Sequence, residues 1–309
     1  MIVTDRAIPE VSAPMADARV VSRSVCGDDT ERGAMDATTP TREDIGRMYD
    51  ETAALSQLFI DGQEHLPYWY DDRDATPVIE AAKRITRKVA GAIDLRPDEE
   101  VLDAGCGVGA PAVQLAEEYA VRVTGVTISP VQAVEAQRRR EHSEAATRVA
   151  FAHGDYHDLA FPDSSFDAVV AIESLMHAGD LAAPLAEFHR VLRPGGRLAI
   201  ADCTREAHVS ADRAAEFMAA FQVGQLLSVP EWISRLREAG FEVEEYTQCG
   251  PRVYGMGLRY LDRADELHDE LTARFGEDTV HQLKQSYRDY FAWSADIGYA
   301  IIAARKPYL

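Results

Sequence analysis

The sequence predicts an α/β fold in which a mostly parallel sheet is covered by helices on both faces. Three observations carry this expectation. From Pro97 onward, strand-like and helix-like segments alternate, and such alternation places successive strands parallel. The first of those strands runs into a turn carrying Gly105, Gly107 and Gly109, which opens directly into a helix. Finally, 309 residues at 46% hydrophobic content supply one sizeable α/β core plus a smaller cap.

Taken in order, residues 1–40 are rich in Ala, Thr, Asp and Pro without apolar periodicity, and read as a disordered leader or as an arm crossing to a neighbouring subunit. The second reading carries the expectation of a homo-oligomer. Residues 41–96 are read as N-terminal helices with an aromatic patch, part of a lid. Ile45, Met48, Tyr49, Ala53, Leu55, Leu58 and Phe59 recur at helical spacings, "HLPYWYDD" follows, and a second helix runs from about Pro77 to Ala92. Residues 97–250 form the core. Its strands are "EEVLDAGCG", "RVTGVTIS", "TRVAFAHGD", "SFDAVVAIES", "GGRLAIADC" and "FEVEEYTQ". Helices start at Pro111 and Pro130, where proline suits a first turn. Another covers 182–192, and the helix in "SVPEWISRLREAG" has Ser228 and Glu231 placed for a capping box. Residues 204–228 and 251–296 interrupt the rhythm near carboxyl ends of strands, where open α/β sheets bind ligands. The second, with Leu258, Leu261, Ala264, Leu267 and Leu271 on one stripe, reads as a helical lid. Residues 297–309 hold the final strand, "IGYAIIAARKP".

Composition removes several function classes. A net charge of -20 repels a phosphate backbone, so nucleic acid is not an expected partner. No Lys/Arg-rich amphipathic stretch and no apolar run of transmembrane length is present, so membrane insertion is not expected either. Cys26, Cys106, Cys203 and Cys249 are far apart and form no CxxC pair, which argues against disulfides and zinc. No metal site is expected, and a reduced cytoplasm is the expected compartment.

"VLDAGCGVGAPAVQLA" is the strongest single signal. Its glycines let a ligand approach bare backbone at a helix N-terminus. Gly105, Gly107 and Ala110 also satisfy the G-x-G-x-x-G/A dinucleotide pattern, which makes an NAD-dependent dehydrogenase the rival reading. Two features oppose it. Asp103 sits in the mouth of the turn, where a pyrophosphate meets an unwanted charge and a cationic ligand a welcome one. In addition, the ribose carboxylate expected at the end of the second strand is replaced by Thr127. An amino-acid group joined to a nucleoside, as in S-adenosylmethionine (SAM), suits both features.

Here the chain resembles a known family. "VLDAGCGVG" resembles motif I of class I SAM-dependent methyltransferases. "GVTISPVQA" is similar to the GxTxSxxQ of the branch holding tocopherol, fatty-acyl cyclopropane and actinomycete natural-product methyltransferases. "HLPYW" resembles that branch's H-x-G-Y-W, with Pro67 in place of glycine. "ESLMHAGD" resembles its E-S-x-x-H-M-P-D, with Ala178-Gly179 in place of Met-Pro, and "HRVLRPGGRLAIAD" resembles its approach to the fifth strand. The likeness covers about residues 65–250 and the final strand. It implies a Rossmann-like, seven-stranded sheet with the last strand antiparallel, helical lid elements, and SAM as cofactor. Asp103, Gly105, Cys106, Gly107, Gly109 and Glu173 are then expected to bind the cofactor, Asp103 facing its ammonium end and the turn's backbone its carboxylate. Thr127 and Gln132, which can each donate and accept, are expected on the ribose. Asp155, with the Tyr156 backbone, is expected on the adenine amine.

On the acceptor side the resemblance gives His177 the role of general base for an O-methylated hydroxyl, with His157 a weaker candidate. Glu173 instead suits a proton leaving carbon, the role needed if a prenyl or terpenoid alkene were C-methylated and the resulting cation cyclised. Tyr68 and Trp69 are expected at the entrance. Phe221, in "EFMAAFQVGQLL", is expected over a greasy substrate. The expected partner is thus a small, fairly apolar acceptor, a secondary metabolite, with O-methylation favoured.

Overall fold

The computed structural model describes residues 41–308; the expectations for residues 1–40, Cys26 and the subunit-crossing arm included, lie outside these. Two helices come first, α1 (Arg42–Ile60) and α2 (Val78–Ala92). The core then follows in alternation: β1 (Glu100–Ala104), α3 (Ala110–Tyr119), β2 (Arg122–Thr127), α4 (Pro130–Glu141), β3 (Val149–His153), β4 (Phe166–Ile172), α5 (Ala182–Val191) and β5 (Leu192–Arg205). Next come α6 (Ala211–Phe221), α7 (Val229–Glu238) and β6 (Glu242–Gln248). Between β6 and the last strand lie α8 (Gly250–Val253), α9 (Arg259–Glu266), α10 (His268–Phe275) and α11 (Glu277–Phe291), and β7 (Ile297–Arg305) closes the chain.

The seven strands form one sheet in the order β3-β2-β1-β4-β5-β7-β6. Neighbours from β3 to β5 pair in parallel, whereas β7 runs antiparallel to both β5 and β6. Period-two side-chain alternation sends each strand into two cores. On β7, Ile297, Tyr299, Ile301 and Ala303 face the cluster that includes α2, α3 and the α9–α11 helices, while Ala300, Ile302 and Ala304 face the cluster built with α5 and α7. Both faces of the sheet are therefore covered, which explains why the central strands read as unbroken apolar runs. At the outer edge β6 exposes Glu242, Glu244 and Glu245, a charged rim that discourages further pairing.

Local signals set the helix starts. Thr41 and Asp44 make a reciprocal capping box on α1, Ser129 accepts the Gln132 N–H at α4, and Ser228 with Glu231 caps α7. The apolar stripe expected in 251–296 is partly realised. Ala264 and Leu271 are fully buried, but Leu258 is 65% exposed because it precedes α9 rather than lying on its inner face. Among the described residues no helix is long and apolar enough to cross a membrane.

Candidate active site

At the carboxyl ends of β1, β2 and β4 the chain forms a partly open cavity. Its floor is the glycine turn. The Gly105 and Cys106 N–H groups both donate to the Val126 carbonyl at 2.9 and 3.0 Å, holding the end of β1 against β2. Gly105 and Gly107 have φ of 90° and 54°, and neither has room for a Cβ: at Gly105 it would meet Ser174, at Gly107 the Glu64 carboxylate. Behind the turn, Asp103 is 2% exposed with no hydrogen-bond partner for Oδ2, and burial pushes its carboxyl up to about 7.

The end of β2 supplies a hydrogen-bond relay. The Thr127 hydroxyl donates to Gln132 Oε1 at 2.7 Å, and Gln132 Nε2 donates to Glu64 Oε2 at 2.7 Å. Thr127 and Gln132 are 3% and 2% exposed, so these bonds are shielded from solvent. After β3, Asp155 accepts the His157 N–H and ring Nδ1 at 2.8 and 2.6 Å through one oxygen, and pairs with Arg42 at 2.9 Å through the other. Burial would raise its pKa, but the bonds from His157 outweigh it and hold the carboxyl below its ordinary value. The Tyr156 hydroxyl donates to the Ser174 carbonyl at 3.0 Å.

The end of β4 carries Glu173 and His177, the two candidate bases. Glu173 sits at φ 49°, a left-handed conformation that a non-glycine residue adopts only where its surroundings enforce it. Its Oε1 accepts the Leu66 N–H at 2.7 Å and the Tyr299 hydroxyl at 2.8 Å, yet burial pushes its carboxyl up to about 8. Nearby Asp202 on β5, bonded by the Met176 and Cys203 N–H groups, is raised to about 7 by burial. His177 is lowered to about 4 by burial, which a bond to the Gln222 carbonyl only partly opposes. Its Nδ1 is buried without a partner, and the Tyr49 ring packs edge-on against the imidazole at 5.7 Å. Since the ring donates to a carbonyl and Nδ1 is free, the neutral imidazole presents an acceptor lone pair at Nδ1.

The structure thus brings Gly105, Cys106, Gly107, Thr127, Gln132, Tyr156, Glu173 and His177 to one cavity. Asp103 and Gly109 are not part of its lining, and Asp155 and His157 lie one residue to either side of Tyr156. Other expected contacts are elsewhere. Trp69 is fully buried, its Nε1–H bonded to the Thr76 carbonyl at 2.9 Å and the Arg259 guanidinium over its ring. Tyr68 is buried under Lys88, and Phe221 packs against Phe217 and Tyr290. Sequence reasoning missed Ile45, Tyr49, Glu64 and His65, which α1 and the segment after it bring onto the cavity. Among the described residues no group of three or more His, Cys, Asp or Glu could hold a metal. His153 and His157 are four residues apart, but His153 bonds the Ile128 carbonyl and His157 the Ala178 carbonyl.

A glycine turn at the carboxyl edge of a seven-stranded sheet with an antiparallel last hairpin is the arrangement implied above for SAM-dependent methyltransferases of class I. Residues 102–200 match the Methyltransf_11 family, described as a methyltransferase domain. O-methyltransferase resE of Aspergillus sclerotiorum is 35% identical over 86% of this chain and 98% of its own. The 27-O-demethylrifamycin SV methyltransferase of Amycolatopsis mediterranei is 34% identical over 87% of this chain and 99% of its own. The crystal structure of the [4+2]-cyclase SpnF superposes with a TM-score of 0.76 at 30% identity, covering 87% of this chain and 98% of that one. The chain belongs to the class I SAM-dependent methyltransferases. That membership resolves the ambiguity of the glycine turn against a dehydrogenase.

Proposed function

We propose that the protein methylates a hydroxyl of a small, fairly apolar natural-product acceptor in the cytoplasm, with His177 as general base. The observation that carries this reading is the buried His177 ring with a free Nδ1. SAM supplies an electrophilic methyl group on a sulfonium, so the protein's part is alignment, exclusion of water and removal of the acceptor's proton. A hydroxyl placed against Nδ1 loses its proton to a neutral base whose other nitrogen is already oriented by Gln222. The relatives named O-methyltransferases favour the same chemistry.

The residues present fit the cofactor. Asp103 Oδ2 is a buried acceptor in want of a donor, which an ammonium group supplies. The bare backbone of Gly105 and Gly107 suits the carboxylate and sulfur arm. Thr127 and Gln132 would take the ribose, and Asp155 with the Tyr156 backbone the adenine. Residues 41–96 and 251–296 would act as the lid over the acceptor.

Glu173 is the less available base, though the stronger one once ionised. With its carboxyl raised to about 8 it is mostly protonated at neutral pH in the ligand-free protein, so the alkene C-methylation that would need it as proton acceptor requires the cationic cofactor to ionise it first. Under single-turnover conditions His177→Ala should leave SAM binding intact and slow methyl transfer by about 10²–10⁴-fold. Glu173→Gln should slow it less. A wild-type rate in His177→Ala would remove this base from the reaction, and the reverse order of the two variants would favour the carbon acceptor.

A further inference from the structure

We propose that Glu64, on the segment between α1 and α2, is the carboxylate that β2 lacks, and that it binds the cofactor's ribose diol alongside Thr127 and Gln132. This rests on the ribose reading given above. The direction of the hydrogen bonds argues for it. Thr127 gives its hydrogen to Gln132 Oε1, and Gln132 gives one of its own to Glu64 Oε2, so the relay ends in a carboxylate. A diol brings two hydroxyl donors, and of these three side chains Glu64 alone is a carboxylate, able to accept a charge-assisted bond beside those it takes from Gln132, Ser56 and the Val108 N–H.

Placement argues for it as well. Glu64 lines the same cavity as Gly107, Thr127 and Gln132. A Cβ on Gly107 would strike its carboxylate, which puts that group directly over the bare backbone of the turn. A residue at the end of β2 would have to reach this spot from Thr127; Glu64 reaches it from the opposite wall. The segment bearing it is fixed there too. Asp61 and Gly62 end α1 in left-handed conformations, a Cβ on Gly62 would collide with Val108 of the turn, and Arg139 on α4 bonds Asp61. The carboxyl, raised to about 7 by burial in spite of bonds from Ser56, Gln132 and the Val108 N–H, gains a further hydroxyl donor when the diol arrives. The arrangement makes the N-terminal segment part of the cofactor site, not only a cover for the acceptor.

The test uses the full chain, calorimetry, and S-adenosylhomocysteine beside its 2′-deoxy and 3′-deoxy analogues as probes. Glu64→Ala should weaken S-adenosylhomocysteine about ten- to hundredfold. The isosteric Glu64→Gln, which keeps the packing, should also weaken it. For the deoxy analogue that lacks the hydroxyl facing Glu64, wild type and Glu64→Ala should be indistinguishable. Wild-type or tighter binding by Glu64→Ala would overturn the proposal, since the carboxylate would then be a plug that the cofactor displaces. Equal losses on all three probes would also overturn it, by showing a purely structural role. Gln132→Ala separates the two levels: if it weakens binding while Glu64→Ala does not, only the Glu64 assignment fails, and if neither does, the ribose reading itself fails.

Discussion

Asp103→Asn removes a buried carboxyl that has one oxygen without a partner, and it changes a proton count as well as an affinity. Burial holds this carboxyl to about 7 in place of its ordinary 3.8, so near pH 6 it is mostly neutral. A cationic cofactor favours the ionised form. Binding should therefore drive the proton off, with affinity rising as pH rises toward 7 and levelling above it. With a free-state value near 7, the ionised fraction drops roughly tenfold between pH 8 and pH 6, and Asp103's contribution to SAM affinity drops with it. Glu64 and Glu173, which line the cavity and ionise near 7 and 8, add to the wild-type slope, so the variant is needed to isolate Asp103. Titration calorimetry at pH 6 in two buffers of different ionisation enthalpy counts the protons released. Wild type should release about one more proton than Asp103→Asn at pH 6, and the difference should vanish near pH 8.5. At pH 8 the variant should bind SAM about ten- to hundredfold more weakly, the loss of a bond between charged groups. Equal proton counts and equal affinities in the two proteins would refute the assignment of Asp103 to the cofactor.

The same carboxyls set the stability of the free protein. Asp103 and Asp202 are raised when folded, so between about pH 4 and 7 they hold protons that the unfolded chain has lost and their contribution falls as pH rises. Glu64 and Glu173 add to the fall, while His65 and His177, lowered to about 4 by burial, oppose it up to about pH 6.5. The upper limit is roughly 4 kcal/mol per carboxyl, and the melting temperature of the ligand-free protein should drop accordingly from pH 5 to pH 8. Asp74 and Asp98 are held below the ordinary carboxylate value by their arginine partners and titrate beneath this window. Trp69→Ala should cost about 3–5 kcal/mol in urea denaturation, with SAM affinity preserved under conditions where the protein stays folded. If residues 41–96 and 251–296 are the lid, hydrogen exchange in both should slow once acceptor and spent cofactor are bound; unchanged exchange in a saturated complex would make them ordinary packing.

The fold was legible because its signals are local. Glycine at the left-handed positions of the first turn, proline in first helical turns, the Ser228–Glu231 box and runs of Val, Ala and Ile each fix an element within a dozen residues. The part of the cavity built on strand ends was legible for the same reason, since Gly105, Gly107, Thr127, Gln132 and Glu173 all lie in or beside them. Tyr49, Glu64 and His65 were not. Their place follows from how α1 packs over the start of α4, through bonds such as Ser129 to Asp50 that join residues far apart in sequence. The aromatic patch misled for a related reason. A short run of Tyr and Trp beside a site looks the same whether it faces ligand or core, and the Thr76 carbonyl that draws Trp69 inward is not visible as a motif.

Burial gives the remaining step. Asp103, Glu64, Glu173 and Asp202 gather at the carboxyl ends of β1, β4 and β5 and on the segment above them, and each is raised far enough to be substantially neutral near pH 7. A chain carrying a net charge of -20 could not otherwise line one cavity with Glu64 and Glu173 and bury Asp103 and Asp202 at the neighbouring strand ends without strong mutual repulsion. Held in protonated form they cost little in the free protein, and each can ionise when a cation arrives. Methyl transfer then consumes the sulfonium's positive charge, which weakens the reason for those groups to stay ionised. Product should therefore be bound with fewer protons released than SAM, and its affinity should depend less on pH. Parallel calorimetry of SAM and S-adenosylhomocysteine from pH 6 to pH 8 measures that difference directly; identical pH profiles for the two would mean that the sulfonium does not sense these carboxylates.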